Sequence, residues 1–230
     1  MSREETVMPI LEAKDLSFSY RNKYQTVHAV RQASCTFERG KAYAIVGKSG
    51  SGKTTLLSLL AGLELPTEGE VLFQGKSIAK LNRDLYRRDH AAVIYQSFNL
   101  FPLLNAMENV LYSMNLKGVP KAEARVRAEQ ELSAVGITPD MYRRFPMQLS
   151  GGEQQRIAIA RAIAAGNELI LADEPTGNLD VGNSEQVVNL LLRLARKEDR
   201  CVILVTHDLE IASLADAIFT MRDGVLEGNV

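Results

Sequence analysis

An α/β fold is predicted for this 230-residue chain, and three observations predict it. First, Lys41-Ala42-Tyr43-Ala44-Ile45-Val46 has the length and apolar character of a buried strand. It runs into Gly47-Lys48-Ser49-Gly50-Ser51-Gly52-Lys53-Thr54, and the following Thr55-Leu56-Leu57-Ser58-Leu59-Leu60-Ala61 reads as a helix. Second, two more apolar runs end in polar residues: Glu168 to Ala172 before Asp173-Glu174, and Cys201 to Val205 before Thr206-His207-Asp208. Continuous runs of this kind mark strands buried on both faces of a parallel sheet. Third, residues from Asn105 to about Phe145 show helical patterning with little strand character, a helical subdomain inserted into an α/β domain.

The central stretch fits G-x-x-x-x-G-K-[ST], and its strand–loop–helix context is the one that pattern requires. Its glycines let the backbone curl so that successive N–H groups converge on an anion, and the helix N-terminus adds its positive dipole end. Lys53 brings a full charge to the β- and γ-phosphates, and the Thr54 hydroxyl can hold Mg²⁺. The motif specifies a nucleoside triphosphate and leaves open what its energy is used for.

Bulk composition narrows the partners. Hydrophobic residues make up 46% and charged residues 24%, enough for a sizeable core, and the net charge of -1 lacks the basic excess of a nucleic-acid binder. The two cysteines, Cys35 and Cys201, lie far apart in apolar runs, with neither metal nor redox spacing, and are expected to pack in the core of a protein in a reducing cytosol. Met1 to Glu5 is polar and acidic and has no apolar signal core. No run of about 18 apolar residues is present, so an attachment to a membrane is expected to go through another protein.

The remaining elements follow in order. Residues 9–46 read as strands, broken by a polar connection at Arg21 to Gln25 and a turn at Glu38 to Lys41. Tyr20 ends the first strand. From position alone it reads as a half-buried strand tyrosine, although an aromatic there can also stack on a base. Gly62 is placed to cap the helix after the loop, Glu70 to Lys76 reads as a hairpin strand ending in a Gly turn, and Arg83 to Asp89 as a short surface helix. Ala91 to Tyr95 is another buried strand, followed directly by Gln96, which at that edge can reach Mg²⁺ or an attacking water and is otherwise an ordinary loop glutamine. Phe98-Asn99-Leu100-Phe101-Pro102-Leu103-Leu104 is too apolar for a free loop and reads as local core or as a groove for a partner helix. Ala124, Ala128, Leu132 and Val135 share one helix face, between Gly118-Val119-Pro120 and Gly136-Ile137-Thr138-Pro139. A helix is predicted from Ser184 to Glu198, and Arg222-Asp223-Gly224 signals a hairpin turn.

Leu149-Ser150-Gly151-Gly152-Glu153 is a second organising stretch. Ser150 and Glu153 have capping-box spacing ahead of Ile157, Ala160 and Ala164. Gly151 and Gly152 in the first turn cost roughly 1 kcal/mol each against Ala, and what they allow is close approach to a bare helix N-terminus beside the Ser150 hydroxyl. That makes a second anion site without a lysine. The strand ending at Asp173-Glu174 delivers carboxylates to the edge where open α/β sheets bind ligands. Asp173 is placed to hold Mg²⁺ through water and Glu174 to act as general base for a water attacking the γ-phosphate. His207 lies at the same edge, within reach of phosphate or water.

The ordered set of the P-loop, Gln96, Leu149 to Glu153, Asp173-Glu174, Asp180 and His207 closely resembles the nucleotide-binding subunit of ATP-binding cassette (ABC) transporters, over nearly the whole chain. The resemblance implies a P-loop NTPase of ABC type: one domain over residues 1–230, with a mixed central sheet and an N-terminal antiparallel β subdomain in about 1–95 and 150–230, and a helical subdomain in about 97–149. It implies that Tyr20 stacks on adenine and that Gly47, Lys48, Ser49, Gly50, Ser51, Gly52, Lys53 and Thr54, with Thr55, hold the phosphates of ATP. It further implies Thr54 and Gln96 on Mg²⁺ with Asp173 behind a water, Glu174 as general base, and His207 holding the γ-phosphate and water. Ser150, Gly151, Gly152 and Glu153 would serve the nucleotide of a second copy of the chain, and Asp180 would contact that copy. Asp173 to Asp180 and Tyr95 to Leu100 look like the branch of lipoprotein-release, macrolide-export and cell-division ATPases, although Glu153 stands where many members have Gln and Lys48 where many have Pro. That branch implies an integral membrane permease docking near Phe98 to Leu104, no nucleic acid, and a cytoplasmic location on the inner face of the membrane.

Three other readings fit parts of the set: a soluble ATPase of the same type, a phosphotransferase and a regulatory ATPase. A DNA-repair ATPase of the same type needs a long coiled coil, for which too few residues separate Gln96 from Ser150; an iron–sulfur assembly ATPase is opposed only by the branch-like motifs. A phosphotransferase would not need Leu149 to Glu153. A regulatory ATPase of a membrane complex would carry the same catalytic residues.

Overall fold

The computed structural model describes residues 8–21 and 23–229; the reading of Met1 to Glu5 lies outside them. The chain runs β1 (Leu11–Arg21), β2 (Thr26–Phe37), β3 (Ala42–Val46), α1 (Lys53–Leu60), β4 (Glu68–Phe73), β5 (Lys76–Ser77), α2 (Arg83–Asp89) and β6 (Ala91–Ile94). It continues through α3 (Ala106–Leu116), α4 (Lys121–Ala134), α5 (Gly151–Ala164), β7 (Leu169–Asp173), α6 (Val181–Glu198), β8 (Cys201–Thr206), α7 (Leu209–Ala212), β9 (Ala217–Arg222) and β10 (Val225–Asn229).

Two sheets form. An antiparallel sheet has the order β2-β1-β4-β5, and a six-stranded sheet has the order β10-β9-β3-β8-β7-β6. In the second, β6, β7, β8, β3 and β9 run parallel and only the β9–β10 hairpin is antiparallel. The fully apolar strands divide their residues by the two-residue period of a strand. Tyr43, Ile45, Leu169, Leu171, Ile203 and Val205 face the core shared with α1 and the antiparallel sheet, together with both buried cysteines. Ala42, Ile170, Ala172, Val202 and Leu204 face the opposite core, filled by α3, α4, α5 and α6. Burial pushes the Cys35 thiol up to about 12 and raises that of Cys201 as well, so both behave as packing groups at neutral pH.

Local chemistry accounts for most element ends. Gly62 adopts φ +65° just past α1, Gln74-Gly75 turns β4 into β5, and Asp223 and Gly224 both take positive φ in the two-residue loop of the last hairpin. Ala124, Ala128, Leu132 and Val135 are all fully buried, as their spacing requires. The structure corrects two expectations. The helix predicted from Ser184 starts at Val181, because Asp180 caps it by accepting from the Asn183 N–H at 3.0 Å. Tyr20, 51% exposed near the end of β1 with its edge against Phe18, is the half-buried strand tyrosine that its position predicts. Of the two readings of the Phe98–Leu104 cluster, local core holds only in part: Leu100 packs against the core of the helical layer, while Leu103 is 86% exposed in an open loop. Buried Asn109 holds that loop, donating to the Phe101, Leu104 and Asn105 carbonyls and accepting from the Phe101 N–H.

Candidate active site

The C-terminal edge of the parallel strands opens on a cleft of about 770 Å³. Of the expected site residues, Tyr20, Ser49, Gly50, Gly52, Lys53, Thr54, Thr55, Gln96, Asp173, Glu174 and His207 line it. Parallel strands with helical crossovers put all their C-termini on one side, which is why segments so distant in sequence converge here.

The loop after β3 is built around glycine at two positions. A Cβ on Gly47 would meet the Met221 carbonyl at 2.2 Å, and one on Gly52 (φ +106°) would meet the Ala29 carbonyl at 2.1 Å. Both contacts are with backbone, so neither position can accept a side chain. Lys53 is buried, and its ammonium donates to the Gly47 and Lys48 carbonyls at 2.8 and 3.0 Å. This clamps the lysine across the loop. An ammonium has three N–H groups, so one remains for an anion. Ser51 Oγ is buried in the same loop without a partner. Thr55 Oγ1 lies 3.3 Å from the Tyr20 hydroxyl, which ties the end of β1 to the start of α1.

The acids sit at different depths. Asp173 ends β7 almost fully buried, and its pKa is raised chiefly by that burial, with a hydrogen bond from Thr54 opposing. Glu174 follows in left-handed backbone, φ +47°, with its N–H bound to the Val205 carbonyl. This conformation is costly for a non-glycine residue and aims the carboxylate at the cleft mouth. There Glu174 Oε2 is 2.8 Å from His207 Nδ1. Thr54, Gln96 and Asp173 bring hydroxyl, amide and carboxylate oxygens to the same cleft, a donor set that suits a hard divalent cation such as Mg²⁺.

Ser150 to Glu153 and Asp180 do not line this cleft. Ser150 caps α5: its Oγ accepts from the Glu153 N–H at 3.3 Å, and Glu153 Oε2 accepts from the Ser150 N–H at 2.6 Å. The second bond holds the Glu153 carboxyl below its usual range. Asp180 caps α6. Cβ atoms on Gly151 and Gly152 would meet nothing closer than 3.4 Å, from the Phe98 ring and the Leu179 side chain respectively. Nothing among the described residues therefore crowds those two positions.

Sequence reasoning missed six residues lining the cleft: Val27, His28, Ala29 and Arg31 of β2, and Asp223-Gly224 of the last hairpin. The hairpin turn underlies the phosphate loop, with Gly224 N–H donating to the Ser51 carbonyl and Arg31 N–H donating to the Gly224 carbonyl. No local motif marks this role, since Asp223-Gly224 alone is only a turn signal.

Comparison with known proteins agrees with this geometry. The sequence pattern of the family described as "ABC transporter" matches residues 30–177. An uncharacterized ABC transporter ATP-binding protein of Bacillus subtilis, YclH, is 41% identical over 94% of this chain and 95% of its own length. The lipoprotein-releasing system ATP-binding protein LolD 2 of Rhodopirellula baltica is 40% identical over 96% of this chain and 89% of its own. The macrolide export ATP-binding/permease protein MacB 2 of Aeromonas hydrophila is 42% identical over 94% of this chain, which spans 34% of that longer protein. Among solved structures, the dimeric form of MJ0796, a bacterial ABC transporter cassette, superposes with a TM-score of 0.91 at 35% identity over 94% of this chain and 96% of its own. A post-hydrolysis state of the same cassette, bound to ADP and Pi, superposes at 0.90 with 35% identity over the same shares. A loop whose Gly47 and Gly52 admit no side chain, beside a buried Asp173 and a Glu174 at the cleft mouth, in a chain alike over 94% of its length to such cassettes, has one assignment: the chain belongs to the ABC transporter family and is an ATP-binding subunit with ATPase activity.

Proposed function

We propose that two copies of this chain close head to tail around two ATP molecules and pass the motion to an integral membrane permease. The observation that carries this reading is the divided site. One cleft holds the phosphate loop and the acids, while the glycine pair at the start of α5 does not line it and is not crowded by any of the described residues.

In this reading Tyr20 stacks on adenine, the Gly47–Thr54 amides with Lys53 and Thr55 bind phosphate oxygens, and Glu174 takes the proton of the attacking water. His207, bound to Glu174 at 2.8 Å, fixes that carboxylate's direction. Mg²⁺, held by Thr54 and Gln96 with Asp173 through water, would neutralise charge on the phosphates. Catalysis is then mostly positioning and charge stabilisation. Ser150, Gly151, Gly152 and Glu153 of the partner close the site over the γ-phosphate, and Asp180 touches the partner near the two-fold axis.

The permease docks near Phe98 to Leu104. A groove of about 320 Å³ there is lined by Tyr95, Phe101, Tyr112, Leu116 and Arg161, with Arg161 over the Phe101 ring at 5.6 Å. Among the described residues no helix is long and apolar enough to cross a membrane, so this docking is what places the chain on the inner face. The likeness to lipoprotein-releasing and macrolide-export proteins supports export or extraction of a lipoprotein, peptide, antibiotic or other amphipathic molecule. Glu174→Gln tests the core of the reading. It is expected to bind ATP, turn over at least about 100-fold more slowly and accumulate as an ATP-dependent dimer. A monomer with unchanged turnover refutes it.

A further inference from the structure

Gln155 lies on α5 one turn beyond the glycine pair, and it is wholly buried. Its Nε2 donates to two carbonyls: Tyr95, immediately before Gln96, at 3.3 Å, and Pro175, immediately after Glu174, at 3.1 Å. Its Oε1 is buried with no partner. An orphaned buried acceptor costs stability, so this amide is poorly suited to being a mere core filler; what it does is hold two site loops with its donor side. A second amide completes the arrangement. Asn178 Nδ2 donates to the Gln96 carbonyl at 3.1 Å.

The same loops also support the glycine pair. A Cβ on Gly151 would meet Phe98 Cζ at 3.4 Å, and one on Gly152 would meet Leu179 Cδ2 at 3.5 Å and the Asn178 carbonyl at 3.6 Å. The start of α5 therefore rests on the Gln96 loop on one side and the Glu174–Asp180 loop on the other, with Gln155 bonded to both loops from behind.

We propose that Gln155 and Asn178 are positioning residues that couple the two nucleotide sites of the dimer. They make the Gln96 loop, the Glu174–Asp180 loop and the start of α5 one hydrogen-bonded unit. A nucleotide in this chain's cleft, by moving Gln96 or Glu174, then sets the position of the Ser150–Gly152 surface offered to the partner's nucleotide. This inference rests on the head-to-tail reading above. It extends that reading by naming the side chains through which occupancy of one site is felt at the other.

The test uses the full chain in a Glu174→Gln background and reads dimer mass by light scattering during an ATP titration. Glu174→Gln alone is expected to dimerise steeply. Adding Gln155→Met, a near-isosteric change that removes the orphaned acceptor, is expected to require at least about tenfold more ATP and to flatten the curve. Binding of a fluorescent ATP analogue to the dilute monomer should change by less than about twofold. Asn178→Ala, at an exposed position where folding is not at stake, should shift dimerisation in the same direction, and the two changes together should add less than their separate effects. Dimerisation at unchanged ATP in both variants overturns the proposal. So does an equal loss of monomer affinity, which would make Gln155 a local prop of its own cleft. A Glu174→Gln protein that never dimerises overturns the head-to-tail reading itself, and this inference with it.

Discussion

Glu174 and His207 form a hydrogen-bonded pair across the mouth of the cleft, Oε2 to Nδ1 at 2.8 Å. The two side chains are unequally placed: 13% of the Glu174 side chain is exposed against 74% for His207. Glu174 also sits in left-handed backbone, held by its N–H on the Val205 carbonyl. The imidazole thus orients a carboxylate whose backbone is already fixed, and it does so from the solvent side, where a partner or a phosphate can reach it.

His207→Ala removes that orientation without disturbing the core. It is expected to lower kcat by about 10- to 100-fold while the KM for ATP changes by less than about threefold. Steady-state ATPase assays check this, and an equal loss in binding would remove His207 from the chemistry.

Glycines of the loop after β3 and of the start of α5 should respond in opposite ways to added methyl groups. Gly52→Ala drives a Cβ to 2.1 Å from the Ala29 carbonyl and is expected to destabilise the fold and abolish ATP binding. Gly152→Ala meets nothing closer than 3.5 Å, and as a helix-favouring change it is expected to leave the melting temperature equal or raised by about 2–4 °C. Its ATPase activity should nevertheless fall at least about tenfold, because in the proposed dimer the added methyl would meet the partner's nucleotide. Thermal melts and turnover on the same preparations separate the two effects.

Asp173 makes stability depend on pH. Burial first, opposed by the Thr54 hydrogen bond, raises its pKa above the ordinary 3.8, so the folded chain binds a proton more readily than the unfolded one. Stability attributable to this group is therefore lost as pH rises from the unfolded value through the raised one, and stays low above it. Asp173→Asn removes the penalty. Without nucleotide, it is expected to melt higher than the parent at neutral pH, by about 2–4 °C for each kcal/mol recovered, and to match it near pH 3. Melts across this range with and without the substitution decide the point, and the same variant should lose ATPase activity.

The Phe101 loop should carry the permease contact. Leu103→Glu changes a side chain that is 86% exposed and is expected to leave folding and basal ATPase unchanged while abolishing co-purification with a membrane partner from detergent extracts. Retained co-purification would move the docking surface elsewhere.

Much of this protein was decided by its sequence. The phosphate loop, the acids after β7, the capping box at Ser150 and the turn at Asp223-Gly224 are contiguous signals, because each depends on backbone geometry within a few residues. The alternating burial of β3, β7 and β8 and the buried face of α4 follow from strand and helix periods alone. Tertiary structure decided what depends on distant segments meeting. It tied Tyr20 to Thr55, opened the Phe98–Leu104 loop around Asn109, brought Gly224 under the phosphate loop and set Gln155 behind Gln96 and Glu174. None of these has a local signature. A buried asparagine or glutamine shows its role only when the carbonyls it binds are known, and those carbonyls lie on other elements, fixed by the packing of two sheets and a helical layer.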